Sequence, residues 1–378
     1  MLTHVGQGQA QPLHFQYKTK YFLFIFKMHP NLPLVSVICL CYNHTCFVEE
    51  ALNSILLQTY QNIELFIVDD ASQDDSKDKI NEIIAEYELK TLQNNQLLKH
   101  IRIFDNVKNI GNCASFNLAL AQIKGKYIID FATDDILLPT HIENLVNVFE
   151  KLEDNVGVIF TNAMYINEVS EDIKTHFKVN KKLQLIQKIP QGEPKGFLFR
   201  EILDNYLICA PSMMIKKEVF CNKQIGILGY DDTLSYEDFD FWVRTTPNWK
   251  YVYVDTCLVK KRISNFSLSN KFYQKKDNNH QNILLKDTLK ILKKAVSFCK
   301  NKQDYAALAK NTFYHLRQSF FMEDFELVND YQNFIKVNNL SNYLPLFSKI
   351  LLKIVSLLSN YNIKTNILYN FYKNNNKH

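Results

Sequence analysis

The sequence predicts an α/β fold with a Rossmann-like, mostly parallel sheet flanked by helices, followed by a C-terminal helical appendage. Up to about residue 131, short apolar segments alternate with segments whose apolar residues repeat at helical spacing. This alternation is typical of parallel strands that are buried on both faces and joined by right-handed crossovers. After about residue 275 the apolar spacing becomes wholly helical, which predicts the appendage.

The apolar segments place the strands in order along the chain. The first has the sequence LVSVICLC and the second IELFIVDD, and helices with apolar residues at i, i+3 and i+4 follow both. A further helix is predicted at residues 112–123. The predicted strands are residues 34–41, 63–70, 101–104, 127–131, 156–165, 212–215 and 249–254.

Composition predicts a large globular chain with an uneven charge. The 378 residues are 47% hydrophobic and 22% charged, enough to bury a sizeable core. We predict a poorly specified N-terminal extension at residues 1–32, a main domain at 33–270 and a basic helical region at 271–378. That last region holds 17 Lys and Arg against 7 Asp and Glu, a net charge of +10. The cysteines lack zinc or CxxC spacing and no apolar segment is long enough to span a bilayer, so we expect a cytoplasmic protein.

Pairs of acidic residues end two of the predicted strands. Asp69 and Asp70 end the second strand, and Asp134 and Asp135 follow the fourth. The carboxyl ends of parallel strands meet at one edge of a sheet, where α/β folds bind ligands. Adjacent carboxylates repel each other, and a hard divalent cation bridging them to a diphosphate removes that cost. The competing interpretations are a solvated turn for the later pair and acidic caps of a strand-to-helix turn for the earlier one.

A third acidic pair lies at the predicted start of a helix. Glu237 and Asp238 belong to SYEDFDFWVR, whose apolar residues would bury the helix behind them. Either carboxylate could take a proton from an incoming hydroxyl. The alternative is that both acids only complement the dipole at the helix N-terminus.

Four segments, in this order, resemble the inverting glycosyltransferases of family 2, whose fold is called GT-A. They are PLVSVICLCYN, FIVDDASQDDS, NIGNCASFNLALAQIKGKYIIDFATDD and SYEDFDFWVR, and the resemblance covers about residues 33–270. It implies a metal-assisted, inverting transfer of a sugar from a nucleotide-diphosphate donor to an acceptor hydroxyl. The acceptor would be a glycan or a lipid-linked molecule in bacterial surface polysaccharide, lipopolysaccharide or capsule synthesis.

The same resemblance assigns roles to residues. Asp135 would bind the divalent cation, Mn²⁺ or Mg²⁺, and Glu237 or Asp238 would be the catalytic base. Asp134 would contact the sugar or ribose, and Asp70 the nucleotide base. The remaining residues expected at the nucleotide sugar are Tyr42, Asn43 and Asn117.

Two positions depart from the family pattern. Phe116 stands before Asn117 where the family often has an arginine available to the nucleotide. The family's Tyr-Arg-x-His reads KKRIS here, so Ser264 takes the place of a metal-binding histidine. The cation would therefore be held mainly by Asp135, the diphosphate and water.

Other functions are less well supported by the sequence. A nicotinamide enzyme is disfavoured because no Gly-rich fingerprint follows a strand, and the basic tail lacks the interleaved aromatic residues of a nucleic-acid site. A non-catalytic glycosyltransferase-like subunit stays open as the alternative function. The tail could rest on the inner face of an anionic membrane through the apolar block at residues 351–358, beside Lys349 and Lys353. A helical-bundle core, a dimer interface or a solvated helix would explain the same residues.

Overall fold

A computed structural model describes residues 32–94, 100–182, 184–192, 195–221, 229–264 and 282–361. Its first half is a parallel sheet whose strands lie in the order β3-β2-β1-β4. These strands are β1 Val35–Cys41, β2 Ile63–Asp69, β3 His100–Asp105 and β4 Tyr127–Ala132. The helices between them are α1 Val48–Leu56, α2 Ser76–Asn94 and α3 Asn112–Leu120.

The second half continues the same sheet with mixed strand directions. Its elements are β5 Ile136–Leu137, α4 His141–Phe149, β6 Val156–Ile166, β7 Asp172–Thr175, α5 Phe199–Asp204, β8 Met214–Lys216, α6 Lys217–Cys221, α7 Asp238–Thr245 and β9 Lys250–Arg262. Strand β8 lies antiparallel between β4 and β6, while β9 runs parallel to β6 and antiparallel to β5. The α/β fold with flanking helices is confirmed, although the sheet is parallel only in its first half. Three-residue β8 is too short for its sequence to indicate a direction.

Both faces of the central strands are buried, which explains their continuously apolar sequences. Along β1, Val35, Val37 and Cys39 pack on the face covered by α1 and α4. Ile38 and Leu40 point to the other face, into a cluster that also contains residues of α3 and of the C-terminal helices. Because side chains alternate along the strand, β1 contributes to a hydrophobic core on each face of the sheet.

The C-terminal region is helical, as predicted. Its helices are α8 Ile283–Ala295, α9 Lys302–Phe321, α10 Phe325–Val337 and α11 Leu346–Asn360. Asn282, Asn301 and Asp324 cap the first three, because each side chain accepts a hydrogen bond from a backbone N–H of the first turn. Among the described residues, no helix is long and apolar enough to cross a membrane. The described residues from Pro33 to Tyr361 form one compact unit, and the predicted boundary at residue 270 lies outside the described residues.

Candidate active site

A cavity of about 1910 Å³ opens at the carboxyl ends of β1 and β4. It brings together most of the residues singled out in the sequence, although they are far apart along the chain. Those lining it are Tyr42, Asn43, Asp134, Asp135, Glu237, Asp238 and Ser264. Typical small-molecule sites occupy about 300–1,000 Å³, so this cavity can hold more than one substrate.

A tight turn after β4 presents the two adjacent carboxylates. Asp135 is buried, and its Oδ1 accepts a hydrogen bond of 2.8 Å from the backbone N–H of Arg262 in β9. Burial raises the pKa of Asp135 well above its usual range, and the neighbouring Asp134 adds to this. Among the described residues, the Asp134 carboxylate has no hydrogen-bond partner. The turn therefore concentrates negative charge that an added cation would stabilise.

Arg262 holds this turn against the rest of the domain. Its Nε donates to the backbone oxygen of Asp134 at 2.9 Å, and its Nη2 forms an ion pair of 2.7 Å with Glu50 of α1. The guanidinium also lies over the ring of Phe47, 4.5 Å from its centroid. Arg262 is thus a structural anchor, and its position fixes where the two aspartates point.

Glu237 and Asp238 lie at the start of α7, opposite that turn. Glu237 is the residue before the helix, and its Oε2 accepts a bond of 2.5 Å from Asn112 Nδ2 at the start of α3. Asp238 is the first helical residue and accepts hydrogen bonds from the Tyr206 hydroxyl and from the backbone N–H of Phe239. Burial raises the pKa of Asp238 to about 6. A carboxylate with a pKa near neutrality can both accept and release a proton under physiological conditions.

The basic helix α8 supports this acidic segment. Asp287 accepts hydrogen bonds from the backbone N–H and hydroxyl of Ser235, at 2.8 and 2.7 Å. Lys294 forms an ion pair of 2.7 Å with Asp240, which also pairs with Arg244 at 2.6 Å. Part of the positive charge of the C-terminal region therefore stabilises the acidic segment at the start of α7.

Replacing Asp240 by alanine should destabilise the protein by about 1–3 kcal/mol, because Asp240 is 1% exposed and its loss removes the buried carboxylate that pairs with Arg244 and Lys294, of which Lys294 keeps Asp231. The measurement is the midpoint of thermal or urea unfolding. Asp232→Ala is the matched control, since Asp232 is exposed on the same segment. Equal midpoints for the two variants would contradict the prediction.

Asn43 is held in the left-handed region, with φ of 59°. Its Oδ1 accepts a bond of 2.7 Å from the backbone N–H of Gln73, and its own N–H donates to the Ser72 hydroxyl at 3.0 Å. These bonds tie the loop after β1 to the loop after β2. The neighbouring Tyr42 is left 44% exposed at the cavity wall, where its ring offers a face on which a planar group can stack.

Asp70 and Asn117 do not line the cavity. The Asp70 carboxylate accepts hydrogen bonds from the backbone N–H groups of Ile110 and Gly111, both at 2.9 Å, and so fixes the loop before α3. Asn117 uses both ends of its amide on the backbone of Tyr230, each at 2.9 Å. The structure thus gives both side chains a positioning contact, and the expected nucleotide contacts stay predictions.

Comparison with known proteins places this chain in a family. The sequence pattern of "Glycosyl transferase family 2" matches residues 36–219. A glycosyltransferase of Methanocaldococcus jannaschii is 32% identical over 236 residues, which are 62% of this chain and 72% of that protein. The chain belongs to glycosyltransferase family 2. It is therefore a transferase enzyme, as the resemblance of the four segments implied.

Other relatives of this glycosyltransferase agree with the assignment. A Rickettsia typhi glycosyltransferase is 27% identical over 249 residues, covering 65% of this chain and 68% of the relative. S. aureus TarS, residues 1–349 with UDP-GlcNAc, shares the fold with a TM-score of 0.63 at 16% identity, over 87% of this chain and 89% of that one. The mannosyltransferase PcManGT of Pyrobaculum calidifontis with GDP-Man and Mn²⁺ has a TM-score of 0.51 at 13% identity, over 90% and 83% of the two chains. These likenesses confirm the GT-A fold.

Three cavity residues of the glycosyltransferase were missed in the sequence. Lys261 lies on β9, Asp130 is a carboxylate within the apolar strand β4, and Tyr206 donates to Asp238. The sequence contained a signal for Asp130: burying a carboxylate costs free energy, so an acid inside an apolar strand indicates a functional role. Burial raises the pKa of Asp130 well above its usual range, and Glu237 raises it further. Tyr206 carried no comparable signal, because only tertiary contact links it to the site.

Proposed function

We propose that this glycosyltransferase moves a sugar from a nucleotide-diphosphate donor to an acceptor hydroxyl with inversion at the anomeric carbon, as part of bacterial surface polysaccharide, lipopolysaccharide or capsule synthesis. The observation that carries the proposal is the cavity that joins Asp134 and Asp135 to Glu237 and Asp238. One pair suits a cation and a diphosphate, and the other suits proton removal. TarS with UDP-GlcNAc and PcManGT with GDP-Man and Mn²⁺ support a nucleotide-sugar donor and a divalent cation.

The residues present fit a divalent cation. Only Oδ1 of Asp135 is used by Arg262, and the Asp134 carboxylate is unpartnered within the described residues, so hard oxygen ligands are available. No group of three His, Cys, Asp or Glu side chains that could hold a metal is found in the described parts of the chain. Mg²⁺ commonly binds through one or two carboxylates together with substrate phosphates and water. When bound, the cation would stabilise negative charge on the departing diphosphate.

In the transfer step, the acceptor oxygen bonds to the anomeric carbon while the bond from that carbon to the diphosphate oxygen breaks. The electron pair leaves on the nucleoside diphosphate. Asp238 takes the proton of the acceptor hydroxyl as general base, because its pKa lies near neutrality and it faces the cavity. Glu237 accepts a hydrogen bond from Asn112 and acts as a positioning residue for the start of α7.

The acceptor has room on the side of the C-terminal helices. Beyond the acidic residues, the cavity continues along α9 past Lys310 and Tyr314 to the first turn of α11 at Phe347. A glycan or lipid-linked acceptor could reach Asp238 from this side while the donor lies against Tyr42 and Asp135.

A donor screen tests the function. Purified protein with Mn²⁺ is mixed with UDP-, GDP-, dTDP- and CMP-sugars and candidate acceptors, and nucleotide release is measured. Release from one donor class, dependent on Asp238, is the expected result. Binding of a donor with no release under any acceptor would contradict the proposed transfer and favour a binding subunit.

The membrane contact of the C-terminal region is proposed for one face of α11. Val355 is buried and residues 351, 352 and 358 pack against the core, so most of the block expected from sequence faces inward. The exposed apolar side chains, each 47–75% exposed, are Leu346, Phe347, Ile350, Ile354 and Leu357. Lys349 and Lys353 flank this face and the helix has no acidic residue, which is complementary to anionic lipid.

Full-length protein should float with phosphatidylcholine vesicles containing phosphatidylglycerol, and the double variant Phe347→Ser/Ile354→Ser should lose at least about tenfold in bound fraction, because two apolar anchors are removed. Val107→Ser is the control, since Val107 is exposed far from α11 in sequence. Equal flotation of both variants would contradict the proposal. A change in sedimentation instead of flotation would identify the face as an interface between two copies.

A further inference from the structure

Three consecutive cations on β9 have different surroundings. Lys260 Nζ forms an ion pair of 2.8 Å with Asp172, and Arg262 forms its ion pair of 2.7 Å with Glu50. Lys261 lies between them, and side chains alternate along a strand, so it points to the opposite face. Its ammonium forms no hydrogen bond or ion pair with any residue that the structure describes.

Lys261 lines the active-site cavity next to the acidic turn. Lys260 pairs with Ile136 across the antiparallel β5–β9 ladder, which brings Lys261 beside Asp135. On its other side it pairs with Tyr165 of β6. Burial works against the charged form, but Cys209 and the carboxylates of Asp135 and Asp238 together raise the pKa of Lys261 above that of a free lysine. The ammonium therefore lies near both the proposed metal ligand and the proposed base.

The charges expected in the loaded site require a further cation, and Lys261 can supply it. Asp134 and Asp135 place two carboxyl groups at the turn, and a divalent cation would stabilise their charged forms. The nucleoside diphosphate that leaves in the transfer carries additional negative charge, and a compact ammonium is a good partner for phosphate oxygens. Neither neighbouring cation can serve, because each is held by its own carboxylate.

Resting on the proposed transferase function, we propose that Lys261 is the diphosphate-binding cation of this enzyme: its ammonium contacts the diphosphate of the donor and stabilises the nucleoside diphosphate as it departs. Ser264 stands where the family often has a metal-binding histidine, and a built-in cation three residues earlier would take over part of the charge neutralisation.

Inorganic pyrophosphate is the probe, because it needs neither a base pocket nor knowledge of the donor. Isothermal titration in phosphate-free buffer with EDTA compares wild type, Lys261→Gln, Lys261→Arg and Lys260→Gln. We expect wild type to bind pyrophosphate without metal, and Lys261→Gln to bind it about tenfold or more weakly, the effect of losing one charged hydrogen bond. Lys261→Arg should keep most of the affinity, and Lys260→Gln, which removes a cation outside the cavity, should bind like wild type.

Equal affinities for wild type and Lys261→Gln would overturn the proposal, as would the absence of pyrophosphate binding by wild type in EDTA. If Lys261→Gln does not fold, as judged by its thermal unfolding, Lys261→Met takes its place with the same expectation, and Lys261→Arg reports whether charge at this position suffices.

The donor screen separates the role of Lys261 from the proposed transfer. Nucleotide release by wild type with Lys261-independent pyrophosphate binding refutes only the role of Lys261, whereas Lys261-dependent binding without release from any donor refutes only the proposed transfer.

Discussion

Replacing Asp238 by asparagine is expected to slow sugar transfer by about a thousandfold while donor affinity stays near that of wild type. Asparagine has nearly the same shape: its Oδ1 can accept from the Phe239 N–H, and its Nδ2 can donate to the oxygen of the Tyr206 hydroxyl, so the start of α7 should not move. It cannot accept the proton of the acceptor hydroxyl, and general-base catalysis contributes about 10²–10⁴-fold. The measurement is nucleotide release with the donor found in the screen, together with donor affinity by titration.

The pH profile provides a second readout of the same residue. A base must be deprotonated to act, and burial raises the pKa of Asp238 to about 6. We therefore expect kcat/KM to fall about tenfold per pH unit below pH 6 and to level off above it. The residual activity of Asp238→Asn should not show this fall in kcat/KM below pH 6.

Glu237→Gln is the informative comparison, because glutamine can still bond to Asn112 while losing its charge. A loss clearly smaller than that of Asp238→Asn is expected. If Glu237→Gln reduces transfer more than Asp238→Asn and abolishes the fall in kcat/KM below pH 6, the base is Glu237 and the assignment to Asp238 is wrong. Asp232→Asn, at an exposed acid on the same segment, should behave like wild type.

Asparagine at Asp135 should reduce Mn²⁺-supported transfer by about a hundredfold or more and raise thermal stability at neutral pH. The amide oxygen can still accept the 2.8 Å bond from the Arg262 N–H, so the turn is kept. The charge that would bind the cation is lost, and metal ligands contribute several kcal/mol of charge stabilisation. Manganese titration and the midpoint of thermal unfolding measure the two effects.

The stability gain follows from the direction of the pKa shift. Burial and Asp134 raise the pKa of Asp135 above its value in the unfolded chain, so the folded state is disfavoured when this group must be charged. The penalty is present at neutral pH and disappears as the pH falls below about 4, where the group is protonated in both states. The variant should therefore be more stable than wild type at pH 7 and similar to it near pH 3. An unchanged response to Mn²⁺ would contradict the role of Asp135.

The pattern of the sequence was sufficient for β1 to β4, α1 to α3 and β6, and it predicts a site at the edge of the sheet where the cavity opens. Continuous apolar runs such as that of β1 are typical of strands buried on both faces, and acids directly after such strands point to the ligand-binding edge. Glu237 and Asp238 are predicted site residues because an acidic pair precedes an apolar helix. These signals are local, so they can be read along the chain without its fold. The mixed direction of the later strands could not be predicted from such local signals. It depends on which strand of the sheet still has an unpaired edge when the later part of the chain packs against it.

The sequence by itself determined the α/β class, the helical C-terminal region and the family. Only the tertiary structure decided what each charged group does. It left Lys261 in the cavity without an ion pair to a described residue, whereas Lys260 and Arg262 are paired with carboxylates, and it turned Asp70 and Asn117 toward backbone groups. It also paired Lys294 of the basic region with Asp240 in α7. The physical reason is that backbone periodicity is set by near neighbours in sequence, whereas the partner of a charge is set by residues brought close only when the sheet and helices pack.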